Sequence, residues 1–239
     1  GPVAHYYRRL NHLCAAFTFT SDIVLLTLGG TFKFKEKLSG RLADVLSHLY
    51  LCSAMLKRFD DQGCHEEDLP LLRWGMRDSL YLIQERLVEV TRHLPITFLG
   101  PIIRFLILPR GRQYAPPSDY LVKRVARTLL ANTEARQRLI SGVYVSMDDD
   151  ATGVLNQAFL ATLQAAPIER LLKNAYREVV SYDNCESLTA RGVAEQVITQ
   201  EQADLVRESQ RLTKLAIDVD EFPWEGQNHI QAEPLRAAS

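Results

Sequence analysis

Apolar residues recur along this chain at steps of three, four and seven, a helical rhythm that persists almost from end to end. Tyr6, Leu10, Leu13, Phe17, Val24 and Leu28 share one stripe and predict a first helix over residues 6–28. Gly29-Gly30 then breaks it, since each glycine inside a helix costs about 1 kcal/mol relative to alanine. A second helix is predicted over residues 35–59, with Leu38, Leu42, Val45, Leu46, Leu49, Cys52, Ser53, Leu56 and Phe59 on one side. Lys37, Arg41, Asp44, Lys57 and Arg58 take the other side, and Gly63 caps the end. A third helix over residues 68–93 buries Leu72, Met76, Leu80, Ile83, Leu87 and Val90, with Pro70 in its first turn and Leu94-Pro95 as its stop. Two long amphipathic helices joined by a short glycine-containing turn lie antiparallel and bury their stripes together, with the first helix as a third wall.

The pattern changes over residues 95–109. Ile96, Phe98, Leu99, Ile102, Ile103, Phe105, Leu106, Ile107 and Leu108 are apolar, and Arg104 is the single charge. Gly100-Pro101 begins a short helix here and Pro109 ends it; eight residues rise only about 12 Å, far short of a bilayer. Two readings stay open. The segment is a helix buried on all sides, or it lays Phe98, Leu99, Ile102, Phe105 and Leu106 against a membrane or partner, with Arg92, Arg110 and Arg112 meeting anionic headgroups.

Further on, residues 119–130 form a shorter amphipathic helix with Leu121, Val125 and Leu129 inside and Lys123, Arg124 and Arg127 outside. Residues 133–140 make a helical turn or two, and Val143-Tyr144-Val145 is a β-like run too short to define a sheet. A helix over residues 154–178 is expected to break or restart at Pro167. A helical hairpin follows, residues 188–195 and then 200–219, whose second helix starts at the capping box Thr199/Gln202. The fold class is therefore all-α: an antiparallel helical bundle (3–145) with additional short helices, C-terminal helices packing on it (146–222), and a polar tail (223–239). Gly1-Pro2, with no initiator Met, reads as the remnant of a protease cleavage site, and the natural protein is expected to extend upstream.

Composition narrows the classes. With 239 residues, 46% hydrophobic and 24% charged, the chain is an ordinary globular protein. A net charge of −1 argues against general nucleic-acid binding. Cys14, Cys52, Cys64 and Cys185 form no CxxC pair, which fits free thiols in a reducing compartment. The sequence shows no signal peptide and no apolar run long enough to span a bilayer.

The catalytic and metal-binding motifs searched for are not found. Gly29-Gly30 lacks the context of a phosphate loop or dinucleotide fingerprint, and neither GxSxG nor HExxH occurs. Asp148-Asp149-Asp150-Ala151-Thr152-Gly153 imitates a calcium loop, but its twelfth position is Phe159 where a bidentate Glu is required, so it reads as a turn before a helix N-terminus. His48 reads as a packing residue, and Glu36, Glu85 and Glu178 carry nothing that marks a base. The expectation is no catalytic, cofactor-binding or metal residue in this chain.

The run HYYRRLNHL, then TLGG, then KLSGRLADVLSHLYLCSAMLKRFDDQG resembles the C-terminal extension of bacterial long-chain acyl-CoA dehydrogenases. RFLILPRGRQYAPPSD, GVAEQVITQEQADLVRES and IDVDEF resemble it too, so the likeness runs from His5 to about Phe222. It departs at one turn, which reads Leu108-Pro109-Arg110-Gly111-Arg112 where the family has a Pro-Leu-Gly-Arg type. The resemblance implies a parent enzyme of fatty-acid β-oxidation that uses FAD to convert a long-chain acyl-CoA to a trans-2-enoyl-CoA. In that chemistry a Glu removes the α-proton, the flavin takes the β-hydride, and an electron-transfer flavoprotein accepts the electrons. Flavin site and catalytic Glu belong to a dehydrogenase body upstream, so no catalytic residue is carried over. The resemblance also implies that this chain is an accessory bundle that packs on that body, supports a homodimer, and helps a cytoplasmic enzyme sit peripherally on the inner membrane. The alternative is a helical protein-interaction scaffold with no flavoenzyme body.

Overall fold

The computed structural model describes residues 2–146 and 150–218. Among them are nine α-helices and no strand, so the all-α class holds. Val143-Tyr144-Val145 pairs with nothing as a strand, being three residues without a neighbour to share a ladder. Asp148 and Asp149, Gly1 and the polar tail lie outside the described residues. The chain divides into two compact units, between Leu139 and Ile140.

In the first unit, α1 (Ala4–Leu28), α2 (Glu36–Asp61) and α3 (Leu69–Arg92) form the bundle. The glycine pair ends α1 as expected, and a 3-10 turn over Gly29–Phe34 leads into α2. Leu38, Leu42, Val45, Leu49, Cys52, Leu56 and Phe59 of α2 meet Leu72, Met76, Leu80, Ile83, Leu87 and Val90 of α3 in one continuous core. Arg41 meets Glu89 at 3.1 Å across this seam, and between α1 and α2 the Tyr7 hydroxyl donates to Asp60 at 2.5 Å. Burial of the Cys52 thiol in this seam pushes its pKa up to about 11.

Two stripe assignments shift. Leu46 is exposed, because it follows Val45 by one residue and so points about 100° away from the stripe. Ser53 is exposed as well, for the same reason, since it follows the buried Cys52.

After α3 the chain doubles back. α4 (Leu99–Ile107) begins where Gly100 lies against the Thr91 backbone, so closely that a Cβ there would overlap the Thr91 carbonyl oxygen. At its other end His12 of α1 shares a 2.9 Å hydrogen bond with the Ile107 carbonyl. The loop after α4 is pinned by Gln84, a fully buried side chain of α3. Its Oε1 accepts from the backbone N–H of Gln113 (2.7 Å) and Tyr114 (2.9 Å), and its Nε2 donates to the Tyr114 carbonyl at 3.1 Å. α5 (Asp119–Leu129) then packs on α3, and α6 (Glu134–Ile140) is anchored by Arg138, which forks onto Asp68 with two 2.9 Å bonds.

The second unit contains α7 (Ala151–Tyr176), α8 (Cys185–Ala194) and α9 (Gln200–Ile217), with α9 lying along both others. Asp150 caps α7, its carboxylate accepting from the Gly153 N–H at 2.8 Å; that bond holds its pKa below the usual carboxylate range. α7 passes through Pro167 without stopping, against expectation. Pro167 is exposed, so water can satisfy the carbonyl that loses its intrahelical donor. Thr199 and Gln202 form the capping box at the start of α9. The core is Ala165, Ile168, Leu172, Leu188, Ile198 and Val206 with their neighbours, and Gly192 admits Leu172 and Ile198 where a Cβ would come within 2.7 Å of Leu172 Cδ2.

The close approach at Gly100 yields a paired prediction. Gly100→Ala is expected to destabilise the chain by about 1–3 kcal/mol, since a backbone carbonyl cannot rotate away. Gly40→Ala, in α2 with open space around it, is expected to stabilise by up to about 1 kcal/mol. Urea denaturation followed by circular dichroism measures both; equal effects would contradict the packing described at Gly100.

Candidate functional site

The helix made by the apolar segment has two faces that its sequence does not distinguish. Gly100, Ile103 and Ile107 are buried and Leu99 is half-buried against the bundle core. Phe98, Ile102, Phe105 and Leu106 point the other way and remain 67%, 50%, 68% and 57% exposed. Their spacing of four, three and one places them on one side of the helix. The segment is thus neither buried on all sides nor loose: it is clamped at both ends by Thr91 and His12 and offers an apolar stripe outward.

Charge around this stripe is one-sided. Between Glu89 and Asp119 the chain holds Arg92, Arg104, Arg110 and Arg112 and no carboxylate. Arg112 is committed to Glu85 at 3.0 Å and is thereby held to the α3 side of the loop. Arg92 and Arg110 are exposed and Arg104 is half-buried, and none of the three has an ion pair or hydrogen bond among the described residues. The structure therefore places Phe98, Ile102, Phe105 and Leu106 together, turns Leu99 inward, and diverts Arg112.

Sequence reasoning passes over Arg104 as a site residue. It lines an open cleft of about 490 Å³ together with Arg92, Thr97 and Phe105, between the end of α3 and α4. The signal is present in the sequence: a single arginine in an otherwise apolar helix.

The other candidates do not assemble into a reaction centre. No group of three or more His, Cys, Asp or Glu side chains placed to hold a metal is found among the described residues. Glu36 lies in the first turn of α2, Glu85 is paired with Arg112, and Glu178 is exposed. His48 is half-buried on α2, with no hydrogen-bond partner at its Nδ1. Against the expectation from sequence, α1 with its following turn, residues 4–34, does reach the length and mean hydropathy of a bilayer-crossing helix. Tyr6, Leu10, Leu13, Ala16, Thr20 and Val24 are buried in the bundle, but only 22% of the apolar window is covered, and Phe19, Leu25 and Leu26 stay exposed.

The family described as "Acyl-CoA dehydrogenase, C-terminal, bacterial type" matches residues 1–222, and the chain belongs to it. No solved structure matches the chain.

Acyl-CoA dehydrogenases use FAD, and the described residues do not fit one. The dinucleotide-type flavin site sets its glycines in a strand-to-helix turn, and no strand is present among the described residues. Here the glycines with no room for a Cβ, Gly75, Gly100 and Gly192, are filled by Met55, Thr91, and Leu172 with Ile198. No flavin-dependent step is assigned to these residues.

Proposed function

We propose that this chain is the accessory helical domain of a long-chain acyl-CoA dehydrogenase and that α4 is the element by which it rests on a membrane surface. On this reading the parent enzyme oxidises long-chain acyl-CoA to trans-2-enoyl-CoA with FAD held by an upstream dehydrogenase body. That body passes electrons to an electron-transfer flavoprotein, and this chain packs on it and supports a homodimer. The enzyme is cytoplasmic and peripheral on the inner membrane, where long acyl chains partition. One observation carries the membrane role: Phe98, Ile102, Phe105 and Leu106 form an exposed stripe on a helix whose other face is locked into the bundle.

Magnitudes support a reversible contact. Full burial of each such side chain is worth about 1.5–3 kcal/mol, and these are already partly covered, so roughly 1 kcal/mol each remains. A total near 4 kcal/mol is comparable to a single lipid anchor, which binds membranes only marginally. Basic side chains beside the stripe add attraction to an anionic leaflet.

Phe105→Ser combined with Leu106→Ser is expected to weaken co-sedimentation with vesicles about 30-fold while circular dichroism stays helical. Unchanged vesicle binding by the folded variant would contradict the membrane role of the stripe. The division of labour has its own test: the purified chain should show no flavin absorbance, whereas the protein with its upstream region should. Flavin bound to the isolated chain would overturn it.

A further inference from the structure

We propose that the cleft between the end of α3 and α4 binds the phosphate of an anionic phospholipid, with Arg92 and Arg104 as its ligands. The inference rests on the membrane reading of α4 and adds to it a defined headgroup site. Both arginines line the cleft, neither is engaged by a carboxylate among the described residues, and the lining contains no acidic side chain. Arg104 is half-buried, as an arginine is when its apolar stem lies along a helix and its charged head stays in water. Thr97, also lining, has a hydroxyl with no partner among the described residues and supplies a further donor. The Thr91 hydroxyl is not available, because it donates to the Val88 carbonyl at 2.8 Å.

Phe105 connects the two features. It lines the cleft and is also the most exposed member of the apolar stripe. A ligand with its phosphate between Arg92 and Arg104 would meet Phe105 with whatever lies beyond the phosphate, and an acyl chain is the group that benefits. Inorganic phosphate shares the head chemistry but leaves Phe105 unused. The neighbouring cleft at the start of α2 differs in kind: it contains Glu36, and its Arg41 is taken by Glu89.

Co-sedimentation of the chain with vesicles of phosphatidylcholine, and of phosphatidylcholine mixed with phosphatidylglycerol, tests this. Two basic side chains at an anionic surface are worth about 30-fold together, and that is the expected preference for the mixed vesicles. Arg92→Gln with Arg104→Gln should abolish the preference, while Lys123→Gln with Arg124→Gln, an equal charge loss on α5, should leave it. Equal loss in both variants means a diffuse charge effect and overturns the site. Equal binding to both vesicles, still lost in the Phe105/Leu106 double variant, overturns the headgroup site and leaves the α4 contact standing. No binding to either vesicle removes the membrane reading and the site with it. Calorimetric binding of inorganic phosphate without a vesicle preference would reassign the cleft to a soluble phosphate ester and overturn the lipid assignment.

Discussion

The first unit depends on the seam between α2 and α3, where seven apolar side chains of one helix meet those of the other at helical spacing. The seam sets the antiparallel sense, which the Arg41–Glu89 and Arg86–Asp44 pairs reinforce at 3.1 and 2.9 Å. Because these ion pairs are partly exposed, they orient more than they stabilise. The remaining placements are geometric consequences of the seam: α1 lies on it, the end of α3 presents the Thr91 carbonyl, and that carbonyl receives Gly100.

The apolar character of α4 then acquires direction. A helix apolar all round has no intrinsic inside, and its neighbours decide which half is spent on packing. Gly100 chooses by being the residue without a Cβ at the point of closest approach, and His12 secures the far end through the Ile107 carbonyl. The half that remains outward is the stripe headed by Phe98 and Phe105, and Arg104 falls at the border between the halves. An element held rigidly on one side and left apolar on the other is suited to docking, since little ordering entropy is lost on contact.

Local periodicity makes most of this legible. The stripes of α2 and α3, the break at Gly29-Gly30 and the capping box of α9 all arise from residues within a few positions of one another. Leu46 is misplaced by periodicity because it adjoins a true stripe residue, and Pro167 because its effect depends on solvent exposure that no local pattern encodes. The polar clamps are beyond reach for another reason. Gln84 finds its backbone partners 29 and 30 positions away, and Arg138 finds Asp68 at 70, separations with no local signature. The outward stripe is half visible: its residues stand out in the sequence, but which of them face out requires the Thr91 contact, and the cleft at Arg104 requires the fold. The family likeness, carried by long ordered motifs and not by catalytic residues, points to the C-terminal region of an acyl-CoA dehydrogenase, and the family match over residues 1–222 agrees.

Whether α4 meets a lipid surface is decided most directly by placing a reporter on it. Phe105→Trp, with Trp74 and Trp224 replaced by Phe to remove background, should shift its emission to the blue and be quenched by brominated phospholipids when vesicles are added. Leu46→Trp, on the exposed side of α2, should respond to neither in the same background. Emission from position 105 that ignores the vesicles, in a protein whose helicity is intact, would contradict a membrane role for α4.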